Sequence, residues 1–402
     1  MTVTIKPGKA RGRITAPPSK SMAHRLLICA ALSSGSSIVK GIEPSQDVLA
    51  TLDCLKAMGV SYHYEENTVK MEGFDPHRIS GEVTLPCRES GSTLRFFIPL
   101  CLLCGKKIRL IGSETLLSRP LSVYQTICKQ QKLLFRQDKD GVVVKGILTP
   151  GEYRLPGNIS SQFISGLLFA LPLLKGDSTI VISTPIESRS YIDLTLQALQ
   201  EFGIRVSWLN ERTLSIPGGQ TYQPGETQVE GDYSNAAFFA ALNVLGGEVT
   251  VEGLKPDSKQ GDRVYQRFFE LICKGTPSVN ISDCPDLGPV LFAVAAAKNG
   301  GVFTGTARLR IKESDRAAVM AEELQKFGVS VTVNEDSVVI YPKEFHAPNG
   351  MLQGHNDHRI VMALSTILTL CGGSISGAEA VNKSFPDYFD KLCSVGIDVQ
   401  KD

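Results

Sequence analysis

Residues 19–35 read SKSMAHRLLICAALSSG, in which a short polar stretch opens a long apolar run that ends at a glycine. The same arrangement recurs at residues 90–105, 160–176, 232–247, 286–300 and 356–373. Most of the copies are spaced by about 70 residues, and such recurrence is typical of repeated supersecondary units. Each run is apolar on almost every face, so we expect it to form a helix buried inside its domain.

A β-rich stretch and a second, amphipathic helix follow each apolar run. The second helices are predicted at residues 46–58, 121–132, 191–202, 263–274, 317–327 and 387–395. Hairpin patterns, each with Asn, Asp or Gly at the turn, follow at residues 61–73, 135–146, 206–218 and 331–342. The fourth repeat has only GTPSVNIS between Lys274 and Asp283, so we expect its hairpin to be shortened. The repeat is therefore β-α-β-α-β-β.

The chain has 402 residues, more than one hydrophobic core usually supports. We predict an α/β protein with two similar domains, each of three β-α-β-α-β-β repeats with buried helices and sheets on the perimeter (an inside-out α/β barrel). The first domain is predicted at residues 18–228 and the second at 229–402, because the segment PGETQVEG (224–231) precedes the fourth repeat. Residues 1–17 are expected to contribute a strand to the second domain.

The bulk composition is that of an ordinary globular protein. The net charge of +1 argues against a general nucleic-acid binder, which needs a basic face. The first twenty residues contain no apolar core of signal-peptide length, and no run approaches a membrane span. The ten cysteines are scattered through apolar runs, which favours reduced thiols over a disulfide framework. We therefore expect a cytoplasmic protein, and a monomer, with no nucleic-acid or membrane partner.

Basic residues lie at the predicted helix starts, where the positive end of the helix dipole disfavours them. A helix N-terminus attracts anions through its unpaired N–H groups, and added cations strengthen that attraction. Two small ligands that each carry one phosphate and one carboxylate would bring roughly five to six negative charges, since each phosphate contributes about −1.5 to −2 and each carboxylate adds one more. Seven cations occupy such positions, namely Lys20, Arg25, Arg119, Lys312, Arg316, Arg359 and Lys383.

Each feature also has a purely structural interpretation. Ser21 is expected to cap the first helix, with Lys20 and Arg25 as solvated cations or as an anion site. Gly91 suits either a close backbone approach to a ligand or any tight turn. Pro120 fits the first position of a helix, and Asp286 fits a plain N-cap. Ser160, Ser161 and Gln162 offer more hydrogen-bonding groups than one cap requires, whereas Ser188 and Tyr191 are ambiguous.

At these residues the chain resembles the 5-enolpyruvylshikimate-3-phosphate synthases of the enolpyruvyl transferase family, over essentially its whole length. Seven motifs in the right order carry the resemblance: PSKSMAHR (18–25), ESGSTLR (89–95), SRP (118–120), SSQF (160–163), KESDR (312–316), NDHR (356–359) and KSFPDYF (383–389).

The resemblance implies two three-repeat domains that close over a cleft. It implies transfer of the enolpyruvyl group from phosphoenolpyruvate to the 5-hydroxyl of shikimate 3-phosphate, with release of phosphate, in the biosynthesis of chorismate and aromatic amino acids. No metal and no organic cofactor is implied. The implied shikimate 3-phosphate contacts are Lys20, Ser21, Arg25, Ser160, Ser161, Gln162, Ser188, Asp286 and Lys312. The implied phosphoenolpyruvate contacts are Lys20, Gly91, Arg119, Gln162, Arg316, Arg359 and Lys383.

The reaction needs one proton added to an alkene carbon and another removed from an alcohol. We predict that Glu313 protonates C3 of phosphoenolpyruvate and that Asp286 accepts the 5-hydroxyl proton. Lys20 is predicted to stabilise the developing charge. Three positions depart from the commonest family pattern, namely Ala23, Glu89 and Arg308, and these affect fine substrate contacts.

Two alternatives remain open at this point. An enolpyruvyl transferase for a UDP-amino sugar (UDP-N-acetylglucosamine) would share the architecture, but it should have a lysine-asparagine pair in its first motif and a reactive cysteine in a mobile loop. Here Lys20 is followed by Ser21, and only Cys87 and Cys284 are candidate loop cysteines. A non-catalytic phosphometabolite-binding protein could use the same cations but would not need Asp286 and Glu313.

Overall fold

The computed structural model describes residues 1–341, 343 and 346–402. Tertiary contacts divide the chain into two compact units. We call Pro18–Glu230 the first unit, and Met1–Pro17 together with Gly231–Asp402 the second unit. The second unit therefore contains both ends of the described chain.

The α-helices follow the predicted positions, with ends shifted by a few residues, except for a four-residue helix at Glu114–Leu117 that was not predicted. They are α1 (Lys20–Leu32), α2 (Gln46–Ala57), α3 (Gly91–Cys101), α4 (Glu114–Leu117), α5 (Ser122–Gln130), α6 (Ser161–Ala170), α7 (Arg189–Glu201), α8 (Tyr233–Val244), α9 (Tyr265–Lys274), α10 (Gly288–Ala297), α11 (Arg316–Gln325), α12 (His358–Cys371) and α13 (Tyr388–Ser394).

The strands are short, as expected for a chain of small repeated sheets. They are β1 (Thr2–Ile5), β2 (Arg11–Thr15), β3 (Ser36–Lys40), β4 (Tyr62–Glu65), β5 (Thr68–Glu72), β6 (Val83–Pro86), β7 (Ile108–Ile111), β8 (Leu134–Asp138), β9 (Gly141–Lys145), β10 (Glu152–Leu155), β11 (Ser178–Ile182), β12 (Ser207–Asn210), β13 (Thr213–Ile216), β14 (Glu226–Gln228), β15 (Glu248–Glu252), β16 (Ser278–Asn280), β17 (Gly301–Thr304), β18 (Val331–Val333), β19 (Ser337–Ile340), β20 (Leu352–Gln353), β21 (Gly373–Ser376) and β22 (Val399–Lys401).

The three sheets of the first unit share one topology. Their strand orders are β14-β3-β5-β4, β6-β7-β9-β8 and β10-β11-β13-β12. In each sheet the first two strands are parallel and the remaining pairs are antiparallel. The first repeat takes its first strand from β14, at the end of the unit's sequence, where Glu226 lies opposite Ile38. The predicted β-α-β-α-β-β repeat is thus confirmed.

The second unit repeats this topology with one exception. The orders β16-β17-β19-β18 and β20-β21-β1-β22 match it, and β1 completes the last sheet with Val3 opposite Ile375 on one side and Lys401 on the other. The fourth repeat keeps only the parallel pair β2-β15. Residues 278–280 pair with β17 instead, so the prediction of a shortened hairpin is confirmed. In the described ranges the strands form separate sheets rather than one closed barrel; Pro342, the last residue of the fourth predicted hairpin, lies outside them.

The first helix of each repeat is buried, as its apolar composition predicts. In α10 every residue from Gly288 to Ala296 is buried. The second helices carry an exposed stripe: in α5, Ser122, Gln125 and Thr126 face solvent while Val123 and Ile127 are buried. Burial of one complete helix per repeat explains why these runs lack the usual polar face. In the part of the chain that the structure describes, none of the helices has the length and apolar character that a membrane span requires.

Three predicted helix starts are wrong. Ser19, not Ser21, caps α1: its Oγ accepts the Met22 N–H at 3.4 Å, and its own N–H donates to the Glu230 carbonyl, which holds the residue extended. Pro120 lies before α5, which begins at Ser122. Asp286 does not cap α10 but lies in a 3₁₀ turn (Pro285–Leu287) before it, and its carboxylate binds cations instead.

Candidate active site

In the first unit the predicted residues lie at or just before helix N-termini. Helices α1 and α6 both pack against α7, and α6 also packs against α3. Ser160 caps α6 by accepting the Gln162 N–H at 3.3 Å, and Ser161 behind it is buried. Ser188 precedes α7 with a left-handed backbone, φ 56°. A non-glycine residue in that region costs about 1 kcal/mol or more, and such residues concentrate at functional sites.

Arg25 is a buried cation held by neutral oxygens. Its Nε donates to Thr195 Oγ1 at 2.8 Å, and its Nη1 and Nη2 donate to the carbonyls of Ser21 and Tyr191 at 2.5 and 2.9 Å. Its guanidinium also lies 5.2 Å from the centre of the Phe96 ring. Burial lowers the pKa of Arg25 to about 10, against a smaller opposing effect of Tyr191. The group is therefore still charged at neutral pH.

Lys20 is the first residue of α1 and is held by one carboxylate. Its Nζ donates to Asp47 Oδ2 at 2.8 Å, and both side chains are about one-seventh exposed (14% and 13%). Asp47 lies in the first turn of α2, where an acid also suits the helix dipole. Sequence reasoning did not select Asp47, because an acid in the first turn of a helix is explained by the helix dipole alone and its partner Lys20 is 27 residues away in the chain.

Gly91 and Arg119 are brought into direct contact. A Cβ added at Gly91 would lie 2.8 Å from Arg119 Nη1, so any side chain at this position would displace the guanidinium group. The Nε of Arg119 is buried and has no hydrogen-bond partner among the described residues. A buried polar group without a partner is rare and calls for a ligand or a water. This corner therefore has the properties of an anion site.

Gln162 joins the same corner through both ends of its amide. Its Nε2 donates to Ser92 Oγ at 2.9 Å and its Oε1 accepts from Arg95 Nη1 at 2.6 Å. Arg95 is 5% exposed and lies over the Phe163 ring at 5.3 Å. Sequence reasoning missed Arg95 as a site residue, although a lone arginine in an apolar helix run is an available signal, since such a charge is rarely buried without a role.

In the second unit, cations and carboxylates form one network around Asp286. Its Oδ1 accepts from Lys312 Nζ at 3.1 Å and Arg316 Nη1 at 2.9 Å, and its Oδ2 accepts from Arg359 Nη2 at 3.1 Å. Burial alone would raise the pKa of Asp286, but the three cations lower it well below the usual value. Burial lowers the pKa of Lys312, and Asp286 partly offsets this.

Arg316 is the most enclosed cation of the network, with a side chain 1% exposed. Its Nε donates to Asp357 Oδ2 at 2.8 Å and its Nη2 donates to Glu313 Oε2 at 2.6 Å, in addition to the Asp286 contact. Burial opposes the charged form, yet the three surrounding carboxylates raise the pKa of Arg316. Asp357 was not selected from the sequence, because its position before α12 is explained by capping: its Oδ1 accepts the Arg359 N–H at 2.9 Å.

Arg359 and Lys383 extend this region on its other side. Arg359 Nη2 also donates to Ser234 Oγ at 3.0 Å, a contact from α8 that the sequence did not reveal. Lys383 Nζ donates to the Asn356 carbonyl at 2.6 Å. His355 and Asn356 both have left-handed backbones, φ 48° and 52°, which marks the segment before α12 as strained.

The structure therefore brings most of the predicted residues together within each unit. In the second unit Asp286, Lys312, Glu313, Arg316 and Arg359 share one ion-pair network, and Lys383 attaches beside it. In the first unit Gly91, Arg119 and Gln162 share one corner, and Arg25 contacts the α7 segment that follows Ser188. Ser21 takes part through its carbonyl oxygen.

One group of side chains in the described ranges has the spacing of metal ligands, namely Glu322, Glu323 and His355. Glu323 is already satisfied: its oxygens accept from Lys326 Nζ at 2.9 Å, His355 Nε2 at 2.9 Å and the Gln353 N–H at 3.0 Å. These contacts explain the buried carboxylate without a metal ion.

Comparison with known proteins gives a consistent family. The family model described as EPSP synthase (3-phosphoshikimate 1-carboxyvinyltransferase) matches residues 5–276 and 263–392. A 3-phosphoshikimate 1-carboxyvinyltransferase of Clostridium kluyveri is 40% identical over 99% of this chain and 98% of its own length. One of Clostridium botulinum is 39% identical over 98% of this chain and 97% of its own length.

Solved structures agree with these sequence matches. An EPSP synthase from Acinetobacter baumannii superposes with a TM-score of 0.79 at 26% identity and covers 100% of both chains. The enolpyruvyl transferase NikO from Streptomyces tendae superposes with a TM-score of 0.79 at 13% identity, covering 99% of this chain and 98% of that one. The second likeness concerns the fold alone.

Proposed function

This chain belongs to the EPSP synthase family, and we propose that it transfers the enolpyruvyl group of phosphoenolpyruvate to the 5-hydroxyl of shikimate 3-phosphate, with release of phosphate. The family assignment depends on the match of nearly the whole chain and on relatives about 40% identical to it. The predicted resemblance to this family is thereby confirmed. The residue roles below are proposals.

The observation that carries the proposal is the network of Asp286, Glu313 and Arg316. An anion-binding protein needs cations, whereas two carboxylates in contact with those cations weaken the attraction for an anion. Here Arg316 donates to both Asp286 and Glu313. Carboxylates in such a place are explained when they move protons on a substrate that the cations hold.

We assign the two proton transfers to these two carboxylates. When Arg316 turns to the substrate, Glu313 takes up a proton from solvent and gives it to C3 of phosphoenolpyruvate while the 5-hydroxyl oxygen bonds to C2, and Asp286 accepts the hydroxyl proton. In the elimination step Glu313 takes a proton back from C3, the double bond re-forms, and phosphate leaves C2 with the proton that Asp286 accepted. Lys20 stabilises the charge that develops on the transferred group.

The low pKa of Asp286 makes it a weak base while three cations surround it. Phosphoenolpyruvate competes for Arg316 and Arg359 through its carboxylate and phosphate. As those cations turn to the substrate, Asp286 loses their field, and its pKa moves back toward the usual range. Substrate binding itself thus activates the base, which limits the proton transfer to the loaded enzyme.

The proposed substrate contacts follow the two anion-binding regions. We assign phosphoenolpyruvate to Lys20, Gly91, Arg119, Gln162, Arg316, Arg359 and Lys383. We assign shikimate 3-phosphate to Lys20, Ser21, Arg25, Ser160, Ser161, Gln162, Ser188, Asp286 and Lys312. That both substrates bind in a cleft that closes around them stays a prediction.

The decisive experiment is phosphate release by the purified chain. Both substrates together should release phosphate, and each substrate alone should release none. Product identity is checked by mass spectrometry, since simple hydrolysis of phosphoenolpyruvate gives pyruvate instead. Phosphate release that is independent of shikimate 3-phosphate would contradict the proposal.

The same assay tests the two alternatives. UDP-N-acetylglucosamine in place of shikimate 3-phosphate should give no release. Both candidate loop cysteines are buried, Cys87 at 0% and Cys284 at 2% exposure, and burial raises the pKa of the Cys284 thiol well above its usual value. A binding protein without catalysis would retain both ligands but release no phosphate.

We further propose that the chain acts in the cytoplasm as a monomer on these two small molecules. Sedimentation or light scattering at micromolar concentration tests the monomer directly. A dimer that persists on dilution would contradict it.

A further inference from the structure

A chain of four buried polar side chains connects three helices of the first unit. His24 Nδ1 lies 2.7 Å from Thr51 Oγ1, Thr51 Oγ1 lies 2.8 Å from Thr93 Oγ1, and Thr93 Oγ1 donates to Ser90 Oγ at 2.8 Å. All four residues are 0% exposed. The chain runs from α1 through α2 to the cap of α3, and no proton transfer assigned above uses it.

The hydrogen bonds in this chain have one consistent direction. A hydroxyl group carries a single proton. Because Thr93 donates to Ser90, Thr93 must accept from Thr51, and Thr51 must accept from the Nδ1–H of His24. His24 is then the Nδ1–H tautomer, and its Nε2 is the unprotonated nitrogen. Nε2 then buries no N–H, and it has no hydrogen-bond partner among the described residues.

The charge state of His24 agrees with this assignment. Burial lowers the pKa of His24 well below its usual value, and the neighbouring cations Lys20 and Arg25 lower it further. The ring is therefore neutral at physiological pH. This agrees with the hydrogen-bond chain, in which His24 donates only through Nδ1. A charged ring would bury a second N–H without a partner.

One face of helix α2 contacts both α1 and α3. Asp47 and Thr51 are four residues apart and therefore lie on the same face of α2. Asp47 holds Lys20 of α1 at 2.8 Å, while Thr51 holds His24 of α1 and Thr93 of α3. Ser90 accepts from both the Thr93 N–H and its hydroxyl, at 3.2 and 2.8 Å, and Gly91 follows it directly.

We propose that His24, Thr51, Thr93 and Ser90 form a positioning relay that sets the start of α3, and hence Gly91, relative to Lys20. This inference deepens the proposed function and rests on it, since Lys20 and Gly91 are two of the proposed phosphoenolpyruvate contacts. None of the four residues touches a reacting atom. They act by holding two contacts of one substrate at a fixed separation, and misplacement by about 1 Å is enough to cost a large factor in rate.

The test uses substitutions that change a hydroxyl while keeping the shape. Thr51→Val removes the hydroxyl from an almost unchanged side-chain volume, and Thr51→Ser keeps it as the matched control. We expect Thr51→Val to raise KM for phosphoenolpyruvate about tenfold, which corresponds to about 1.4 kcal/mol. KM for shikimate 3-phosphate should change less than about twofold, because Gly91 is not among its proposed contacts and Arg25 is held by Thr195 and Tyr191 outside the relay. Lys20, which both substrates share, keeps its ion pair with Asp47 in this variant. Thr51→Ser should behave like the unaltered chain in both respects.

Amide hydrogen exchange separates positioning from general destabilisation. In Thr51→Val the amides of residues 92–95 at the start of α3 should exchange faster, whereas those of α12 should not change. Thr93→Val is the second variant, in case Thr51→Val folds poorly, and the same pattern is expected. An equal increase in amide exchange rates in both units, or equal increases in both KM values, would overturn the relay.

A spectroscopic measurement tests the relay without any turnover. Nitrogen NMR of labelled histidine should show His24 protonated at Nδ1 and unprotonated at Nε2, with the resonance identified by its loss in His24→Asn. The opposite tautomer would overturn the relay. If the unaltered chain released no phosphate, the proposed function would fail, while the tautomer and the exchange pattern would still decide the relay.

Discussion

The two units hold their buried arginines in opposite ways. In the first unit Arg25 is held by neutral oxygens of Thr195, Ser21 and Tyr191. In the second unit Arg316 is held by three carboxylates, Asp286, Glu313 and Asp357. The same type of buried side chain thus serves two electrostatic purposes.

This difference predicts how each region responds to an anionic ligand. A cation held by neutral groups keeps its field, so an anion adds to it without displacing anything. A cation held by carboxylates must exchange partners, and the released carboxylates then become available as acids and bases. The surroundings of Arg25 are therefore suited to fixed binding and those of Arg316 to proton transfer.

The largest expected effect follows from removing the second unit's carboxylates. Glu313→Gln and Asp286→Asn should each lower kcat by about 10²–10⁴-fold, the usual contribution of positioned acid–base catalysis. Glu322→Gln is the matched control, because Glu322 lies on the neighbouring helix α11 and is exposed. Steady-state phosphate release measures the effect. Turnover within a few-fold of the unaltered chain would remove these residues from the chemistry.

A smaller but global effect distinguishes the two arginines. Arg316→Gln should lower the free energy of unfolding by about 3–5 kcal/mol, because it leaves buried carboxylates without their cation. Arg25→Gln should cost clearly less, since its partners are neutral, while KM for shikimate 3-phosphate should rise. Chemical denaturation of both variants checks the pair. Equal decreases in the free energy of unfolding would mean that the different partners of Arg25 and Arg316 do not affect stability.

A local effect is expected at Gly91. Gly91→Ala places a Cβ 2.8 Å from Arg119 Nη1, so the guanidinium must move, and KM for phosphoenolpyruvate should rise about tenfold, or about 1.4 kcal/mol. KM for shikimate 3-phosphate should stay nearly constant. Gly225→Ala is the control, because nothing lies within 4 Å of an added Cβ there. Parallel changes in both KM values would argue against a separate phosphoenolpyruvate corner.

The smallest expected effect is a pH dependence of stability. The pKa of Asp286 is lowered in the folded chain, so its ionised form stabilises the fold at every pH above the unfolded value of about 3.9. The contribution is lost as pH falls through the lower folded value. The difference in unfolding free energy between the unaltered chain and Asp286→Asn should be constant from about pH 5.5 to 8 and narrower near about pH 3.

Denaturation titrations at several pH values measure this difference. Asp398→Asn is the control, because Asp398 is half exposed and pairs with Lys6 at the surface, where an ion pair contributes little. A difference in unfolding free energy between the unaltered chain and Asp286→Asn that grows as the pH falls would contradict the lowered pKa of Asp286.

Much of the fold could be predicted from local sequence. The apolar run before Gly35 predicted a buried helix, and the eight residues after Lys274 predicted a shortened hairpin in the fourth repeat. Local pattern failed where two interpretations fit the same residues. Ser19 and Ser21 are both good caps, and the structure selects Ser19, whose N–H donates to the Glu230 carbonyl and whose Oγ accepts from the Met22 N–H.

Parts of the candidate site were beyond any local pattern. Asp357 has the sequence of an ordinary cap, and its second task, holding Arg316 from 41 residues away in the chain, depends on packing. Asp47 and Ser234 were missed for the same reason, whereas Arg95 could have been selected as a lone arginine in an apolar run. Their partners come from other elements, and sequence spacing carries no information on which helices lie side by side.

The sequence by itself determined the repeats, the approximate positions of their helices and the set of cations near them, because these depend on periodicity and on neighbouring residues. The tertiary structure alone decided which charges neutralise one another. Ion pairing requires contact within a few ångströms, and burial sets its strength, so the contrast between Arg25 and Arg316 exists only once the helices are packed.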